Sequence, residues 1–127
     1  MSPRTAVAAA ALLLLAGVAA GAFAAHALRS SLAPELLGIF HTAVQYQLVH
    51  ALGVLATGVL WMQWPQSAGA LRACVWLLLA GIVLFCGSLY ALALTGVRGF
   101  GVIAPLGGAA WLMAWALLAW IAWRRDR

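Results

Sequence analysis

Four long apolar stretches separated by brief polar punctuation make up this chain. No Asp, Glu, Lys or Arg occurs in residues 5–28, 36–71, 73–97 or 99–123. Three of these intervals each suit one tilted helix of about 20 residues, the length that crosses a bilayer core. The second is too long for one span and is broken by Gln63-Trp64-Pro65-Gln66-Ser67, where proline removes a backbone donor and restricts the residue before it. The pattern predicts transmembrane helices near 5–28, 38–62, 70–95 and 103–123 in a single membrane domain, 1–127. The expected fold is all-α, an up-and-down four-transmembrane-helix bundle with short turns at 63–69 and 96–103. Pro34-Glu35 marks a helix start, with proline suited to the first turn and the acid to the positive end of the helix dipole. A short amphipathic lead-in at the membrane surface is expected there, before the second span.

Polar residues inside these stretches are clustered. His41-Thr-Ala-Val-Gln-Tyr-Gln-Leu-Val-His50-Ala-Leu52 places a dense polar group within an otherwise apolar span. At about 100° per residue, Thr42, Tyr46, His50, Gly53 and Thr57 share one stripe, with Gln47 on its flank and His41 and Gln45 on another side. An unpaired amide, imidazole or hydroxyl in hydrocarbon costs several kcal/mol, so this stripe is expected to face protein. His50 should point into the bundle and bond to Tyr46, Gln47 or Ser88. Small residues supply the seams on which helices can approach closely. They are Gly17-Val-Ala-Ala-Gly21 with Ala24 and Ala25 on the first helix, Cys74, Gly81, Ser88 and Thr95 at intervals of seven on the third, and Gly107-Gly108 opening the fourth. The candidate packing glycines are therefore Gly17, Gly21, Gly81, Gly107 and Gly108.

Composition confirms the class: 67% hydrophobic and 7% charged residues, with a mean hydropathy of +1.07, leave too little polar surface for a soluble protein. Charge then sets an expected orientation. Four spans put both termini and the 63–72 turn on one side, gathering Arg4, Arg72, Arg124, Arg125 and Arg127 against Arg29 and Arg98 opposite. By the positive-inside rule both termini are expected in the cytoplasm. Trp61, Trp64, Trp76, Trp120 and Trp123 fall at the same predicted ends, as an interfacial aromatic belt would. The net charge of +5 reads as a topology signal and an attraction to anionic lipid. Basic and aromatic residues do not interleave, so nucleic acid is not an expected partner. A competing reading takes Arg4, the Ala and Leu run and Ala19-Ala20-Gly21-Ala22 as a cleavable signal peptide. The uncharged stretch is long for a signal core, and cleavage would leave the termini on opposite sides.

Candidate chemistry is sparse. Glu35 and Asp126 are the only acidic side chains, which nearly excludes paired-carboxylate catalysis and carboxylate metal clusters. Cys74 and Cys86 lie about 18 Å apart along one helix and cannot bridge each other. No Walker loop, dinucleotide fingerprint, zincin motif or nucleophile elbow is present. The candidate polar cluster is His26, Thr42, Tyr46, Gln47, His50, Ser88 and Tyr90, with no catalytic residue and no metal set assigned. A faint similarity at an offset of 64, Leu14-Leu-Ala-Gly-Val18 with His26 against Leu78-Leu-Ala-Gly-Ile82 with Tyr90, would put His26 and Tyr90 at corresponding depths. Two functions fit. The first is a structural or partner-binding membrane protein whose polar residues join helices, with a membrane protein or a second copy as partner within the lipid bilayer. The alternative is an outward-opening pocket binding a small ligand, proton, metal or haem through His50, His26, Tyr46 and Gln47. No cofactor is expected, and haem held between His26 and His50 is disfavoured by their mismatched depths. Enzyme activity is the least favoured reading, because nucleophile, carboxylate base and ligand spacing are all lacking.

Four segments also resemble a known family. Gly21-Ala-Phe-Ala-Ala-His26-Ala-Leu28, Thr42 to Leu52, Leu84-Phe-Cys-Gly-Ser-Leu-Tyr90 and Ala104-Pro-Leu-Gly-Gly108 are similar to the signature segments of the domain-of-unknown-function 423 family, which includes a eukaryotic branch called transmembrane protein 256. Ala24 and Ala114 stand where that family often has glycine, and Ala104 where it often has threonine. The resemblance implies a small four-helix, multi-pass protein of the bacterial inner (plasma) membrane and no particular reaction.

The predicted orientation is checked by cysteine accessibility in intact cells. A cysteine replacing Ser67 should react with a membrane-impermeant thiol probe only after permeabilisation, and one replacing Gly99 should react without it. The reverse pattern would invert the topology.

Overall fold

The computed structural model describes residues 1–125, so Asp126 and Arg127 lie outside the described residues. Four helices are present: α1 (Pro3–His26), α2 (Pro34–Gln63), α3 (68–95) and α4 (Ala104–Arg125). Each is long and apolar enough to cross a membrane. Their ends follow from local chemistry. The Ser2 hydroxyl accepts from the Thr5 amide at 3.2 Å to cap α1. Pro34 and Glu35 start α2 as expected, but the surface lead-in is simply its first turn, continuous with the span. Single turns of 3-10 helix at Leu28–Ser30, Pro65–Ser67 and Arg98–Val102 make the connections. α3 ends at Gly96, whose φ of 72° is the left-handed conformation glycine adopts freely and whose N–H bonds to the Leu92 carbonyl at 2.8 Å.

α2 is the axis of the assembly. It packs against α1 along one side and against α3 on the other, while α4 packs chiefly against α3. α1 has no comparable contact with α3 or α4. Its buried positions, Ala6, Ala10, Gly17 and Ala24, form one narrow stripe of small residues against α2. Between apolar helices in lipid there is little hydrophobic gain, so close van der Waals packing and polar contacts must hold them.

α3 is not a uniform helix. It runs as α-helix over Ala68–Gly81, widens into a π-helical turn over Ile82–Cys86, and resumes as α-helix over Gly87–Thr95. The Gly87 N–H reaches back five residues to the Ile82 carbonyl. Such a turn admits one extra residue and redirects backbone carbonyls, and side-chain donors fill both edges of this one. Trp111 Nε1 donates to the Leu78 carbonyl at 3.1 Å, and the Ser88 hydroxyl to the Phe85 carbonyl at 2.9 Å.

The glycines divide into contacts and bystanders. A Cβ on Gly81 would collide with the Trp111 indole, and one on Gly107 would lie 2.5 Å from the Phe85 amide nitrogen and 2.9 Å from the Gly81 carbonyl oxygen. α3 and α4 therefore touch backbone to backbone. On α1, a Cβ at Gly17 would lie 2.7 Å from Leu48, whereas Gly21 makes only ordinary contact with Val44 at 3.4 Å. Gly108 corrects the expectation of a double-glycine seam: nothing lies within 4 Å of its Cβ direction, because it points away from α3. Along α3, Cys74, Gly81 and Ser88 are buried as the seven-residue spacing predicts, but Thr95 is exposed and bonds locally to the Ala91 carbonyl and the Val97 amide.

Replacing Gly81 by alanine should displace Trp111 and lower stability in detergent by about 1–3 kcal/mol, the usual cost of overpacking. Gly87, with nothing within 4 Å, should accept alanine with no loss or a gain of up to about 1 kcal/mol from helix propensity. Equal thermal unfolding of the two variants would remove close approach at Gly81 as a source of stability.

Candidate functional site

The polar cluster separates into two neighbouring arrangements around the middle of α2. The first is centred on Gln47, a buried residue 6% exposed. Its Nε2 donates to the Leu13 carbonyl of α1 at 2.8 Å, and its Oε1 accepts from the Tyr90 hydroxyl of α3 at 2.8 Å. One amide thus links three helices. The Tyr90 ring meets Phe40 edge to face at 4.9 Å between centroids. Beside this junction a cavity of about 300 Å³ opens between α1 and α3, walled by Ala16, Ala20, Phe23 and Leu94 and floored by Phe40, Gln47 and Tyr90.

His50 and Trp111 form the second arrangement. Their rings stack at 3.6 Å between centroids and 7° between planes. His50 Nδ1 lies 2.8 Å from the Tyr46 carbonyl. A carbonyl only accepts, so Nδ1 carries the proton and the bond stays within α2. Phe85, at the π-helical turn, contacts Tyr46 at 4.9 Å and Trp111 at 4.8 Å, and Trp115 lies 6.0 Å from His50. Aromatic pairs of this kind contribute about 0.5–1.5 kcal/mol each beyond the area they bury. Trp111 therefore does three things: it covers His50, fills the space over Gly81 and satisfies Leu78.

Expectation and structure part at several residues. His50 is buried and bonded as expected, but its partner is its own helix backbone rather than a side chain of Tyr46, Gln47 or Ser88. Ser88 is likewise buried yet bonds locally, as do Thr42 to the Gly38 carbonyl and Thr57 to the Gly53 carbonyl. Tyr46 does not face fully inward: it is 42% exposed, because its ring lies across Phe85 and Trp111 and leaves an edge outside. His26 is exposed at the last turn of α1 and makes no hydrogen bond among the described residues. Tyr90 is followed by another turn of helix to Thr95, so the two do not sit alike relative to their helix ends. Trp61 is buried in the core rather than in an interfacial belt. Trp111, Phe85 and Phe40 were not singled out as site residues; the available signal was a tryptophan placed mid-helix, far from either interface.

Among the described residues, no buried side-chain nitrogen or oxygen lacks a partner, and no group of three or more His, Cys, Asp or Glu is placed to hold a metal ion. The free thiols of Cys74 and Cys86 are both buried in α3.

A family model described as "Protein of unknown function (DUF423)" matches residues 20–108, which contain Gln47, His50, Phe85 and Tyr90 but neither Leu13 nor Trp111. The chain is 40% identical to the UPF0382 membrane protein YwdK of Bacillus subtilis over 82% of its own length and 84% of that protein's. It is 41% identical to the UPF0382 membrane protein SSP2132 of Staphylococcus saprophyticus, covering 80% of this chain and 82% of that one. It is 36% identical to the UPF0382 inner membrane protein YgdD of Escherichia coli, covering 80% and 76%. No solved structure matches the chain.

The Gln47–Tyr90 link can be isolated by a double-mutant cycle. Gln47→Met and Tyr90→Phe keep shape while removing the bond, and the coupling between them should be about 0.6 kcal/mol and at most about 1.7 kcal/mol, the range for interhelical polar pairs in membranes. Strict additivity would mean that the bond contributes nothing to holding α3 on α2.

Proposed function

The chain belongs to the DUF423 family of membrane proteins, and from that premise we propose that it is a structural or partner-binding membrane protein rather than an enzyme. The observation that supports this reading most directly is the use of Gln47: each end of its amide is committed to a different neighbouring helix. Hydrogen bonding available for chemistry has gone into joining helices. The partner is another membrane protein or a second copy of the chain, and α1 offers the surface for it. It packs against α2 along one stripe and leaves Leu12, Leu15 and Val18 each at least 65% exposed. The proposed orientation keeps both termini in the cytoplasm, following the arginine bias.

A second reading is favoured by the cavity between α1 and α3. Gln47 and Tyr90 at its floor would orient a small, mostly apolar ligand; His50, about one turn along α2 from Gln47, does not line this cavity, and its Nε2, which makes no hydrogen bond among the described residues, would be a separate acceptor in the neutral ring. Haem or metal binding through His50 and His26 draws no support from a third ligand.

Photocrosslinking in native membranes separates the two. A photoreactive residue at Leu15 or Val18 should give a defined protein adduct under the partner-binding reading, and lipid adducts alone would sink it. His50→Phe adds a second discrimination, since it keeps a flat ring on Trp111 and loses only a local bond. It should cost less than about 1.5 kcal/mol and leave the adduct unchanged. A well-folded His50→Phe protein that lost its cellular role while keeping its adduct would favour the ligand reading.

A further inference from the structure

The arginine-rich end of the bundle, remote from the polar cluster, holds a cavity of about 550 Å³. Its walls include Gln66 and Ser67 from the turn before α3, Gly69 in the first turn of α3, and Trp120, Arg124 and Arg125 from the end of α4. Each guanidinium is held face-on to an indole: Arg124 lies 4.3 Å from the Trp120 ring centre, and Arg125 lies 4.4 Å from that of Trp64. Stacking occupies the flat face of a guanidinium and leaves its N–H edge, a fork that matches phosphate oxygens, free to bond. Neither arginine makes a hydrogen bond or ion pair within the described residues. The one described carboxylate side chain, Glu35, is engaged with Arg98 at 3.6 Å in the loops at the opposite end. Two positive charges therefore line a concave site with no described carboxylate to offset them.

We propose that this cavity binds the phosphate group of an anionic phospholipid. Volume, charge and depth all fit that ligand. Small-molecule sites span about 300–1,000 Å³, so a phosphodiester headgroup has room. Trp64 and Trp120 sit at the end of their spans, where indoles mark the headgroup level of a bilayer. Basic pockets between transmembrane helices at that level are suited to anionic headgroups. Arg124 and Arg125 take the phosphate oxygens edge-on, while Gln66 and Ser67 offer neutral donors to the rest of the headgroup. Acyl chains run down the apolar wall that Ile121 begins.

Thermal unfolding of the full chain in detergent, titrated with defined lipid, tests this. Dioleoyl phosphatidylglycerol should raise the midpoint saturably and dioleoyl phosphatidylcholine should not. Arg124→Gln with Arg125→Gln should weaken the apparent affinity by about tenfold or more, the loss of two sets of charge-assisted hydrogen bonds. Arg4→Gln with Arg72→Gln removes the same charge from the same end but not from the cavity, and should change affinity by less than about threefold. Gly69→Glu gives an independent arm should the arginine variant fail to fold. Nothing lies within 4 Å of its Cβ direction, so the carboxylate can enter the cavity and should abolish the lipid response. Inorganic phosphate that saturates the same shift and competes with the lipid would support the phosphate chemistry and assign the free ion as its source. Equal responses to the two lipids, equal losses in the two double variants, or an unchanged response in Gly69→Glu would each overturn the proposal.

Discussion

A carboxamide placed in a bilayer has to find protein partners for both of its ends, and this constraint at Gln47 governs how α1, α2 and α3 are put together. Hydrocarbon supplies neither donor nor acceptor, so an amide left alone would cost several kcal/mol. Gln47 meets the requirement by reaching Leu13 on one side and Tyr90 on the other. Those two bonds fix the axial register of α1 and of α3 against α2, because a shift of one turn, about 5.4 Å, would break them. They also explain why position 17 is a glycine. A side chain there would press on Leu48 and meet the Gln47 amide itself at 3.4 Å, pushing α1 away from the group that holds it.

The adjoining turn of α2 solves a different problem with aromatic rings. His50 keeps its hydrogen bond within its own helix, so it needs a cover rather than a partner, and Trp111 supplies one. For the indole to reach that position it must lie over the backbone of α3, which only a glycine at 81 permits. The adjoining π-helical turn belongs to the same solution. The Trp111 indole N–H meets the Leu78 carbonyl one turn before it, and the Ser88 hydroxyl bonds within α3 to the Phe85 carbonyl. Gly81, Gly107, Trp111 and the widened turn are therefore one structural unit, and none of them is explained separately.

The spans and their ends were legible because they depend on one-dimensional facts: intervals without charge, Pro34 and Pro65 at helix starts, Gly96 after the third helix. Burial of Gln47, His50 and Ser88 was legible for the same reason, since no polar residue in mid-span can face lipid without cost. What could not be read was the identity of each partner. Gln47 and His50 lie three residues apart on nearly the same face, yet one bonds across helices and the other does not. That difference is set by which backbone carbonyl comes within reach, a matter of helix register. Ile82–Cys86 contains no proline, glycine or polar residue to announce a π-helical turn. Tyr46 is partly exposed because the rings of Phe85 and Trp111 already fill the interior beside it.

The middle of the bundle and its arginine-rich end also carry different kinds of polarity, and the bilayer gives a reason. Around the middle of α2 the polar groups are neutral, and no fully buried side-chain nitrogen or oxygen among the described residues lacks a partner, as a low-dielectric interior demands. At the arginine-rich end the polar groups are guanidinium ions at the level where headgroups begin, and their counter-charges are not among the described side chains. A buried cation would have required a buried anion within the fold, at a desolvation cost that often exceeds the attraction gained. A cation at the headgroup level needs no such internal partner, because the membrane surface itself carries the opposite charge. The chain has thus placed its uncompensated charge where lipid can balance it, and among the described residues it has fully buried only those polar side-chain atoms that the protein satisfies by itself.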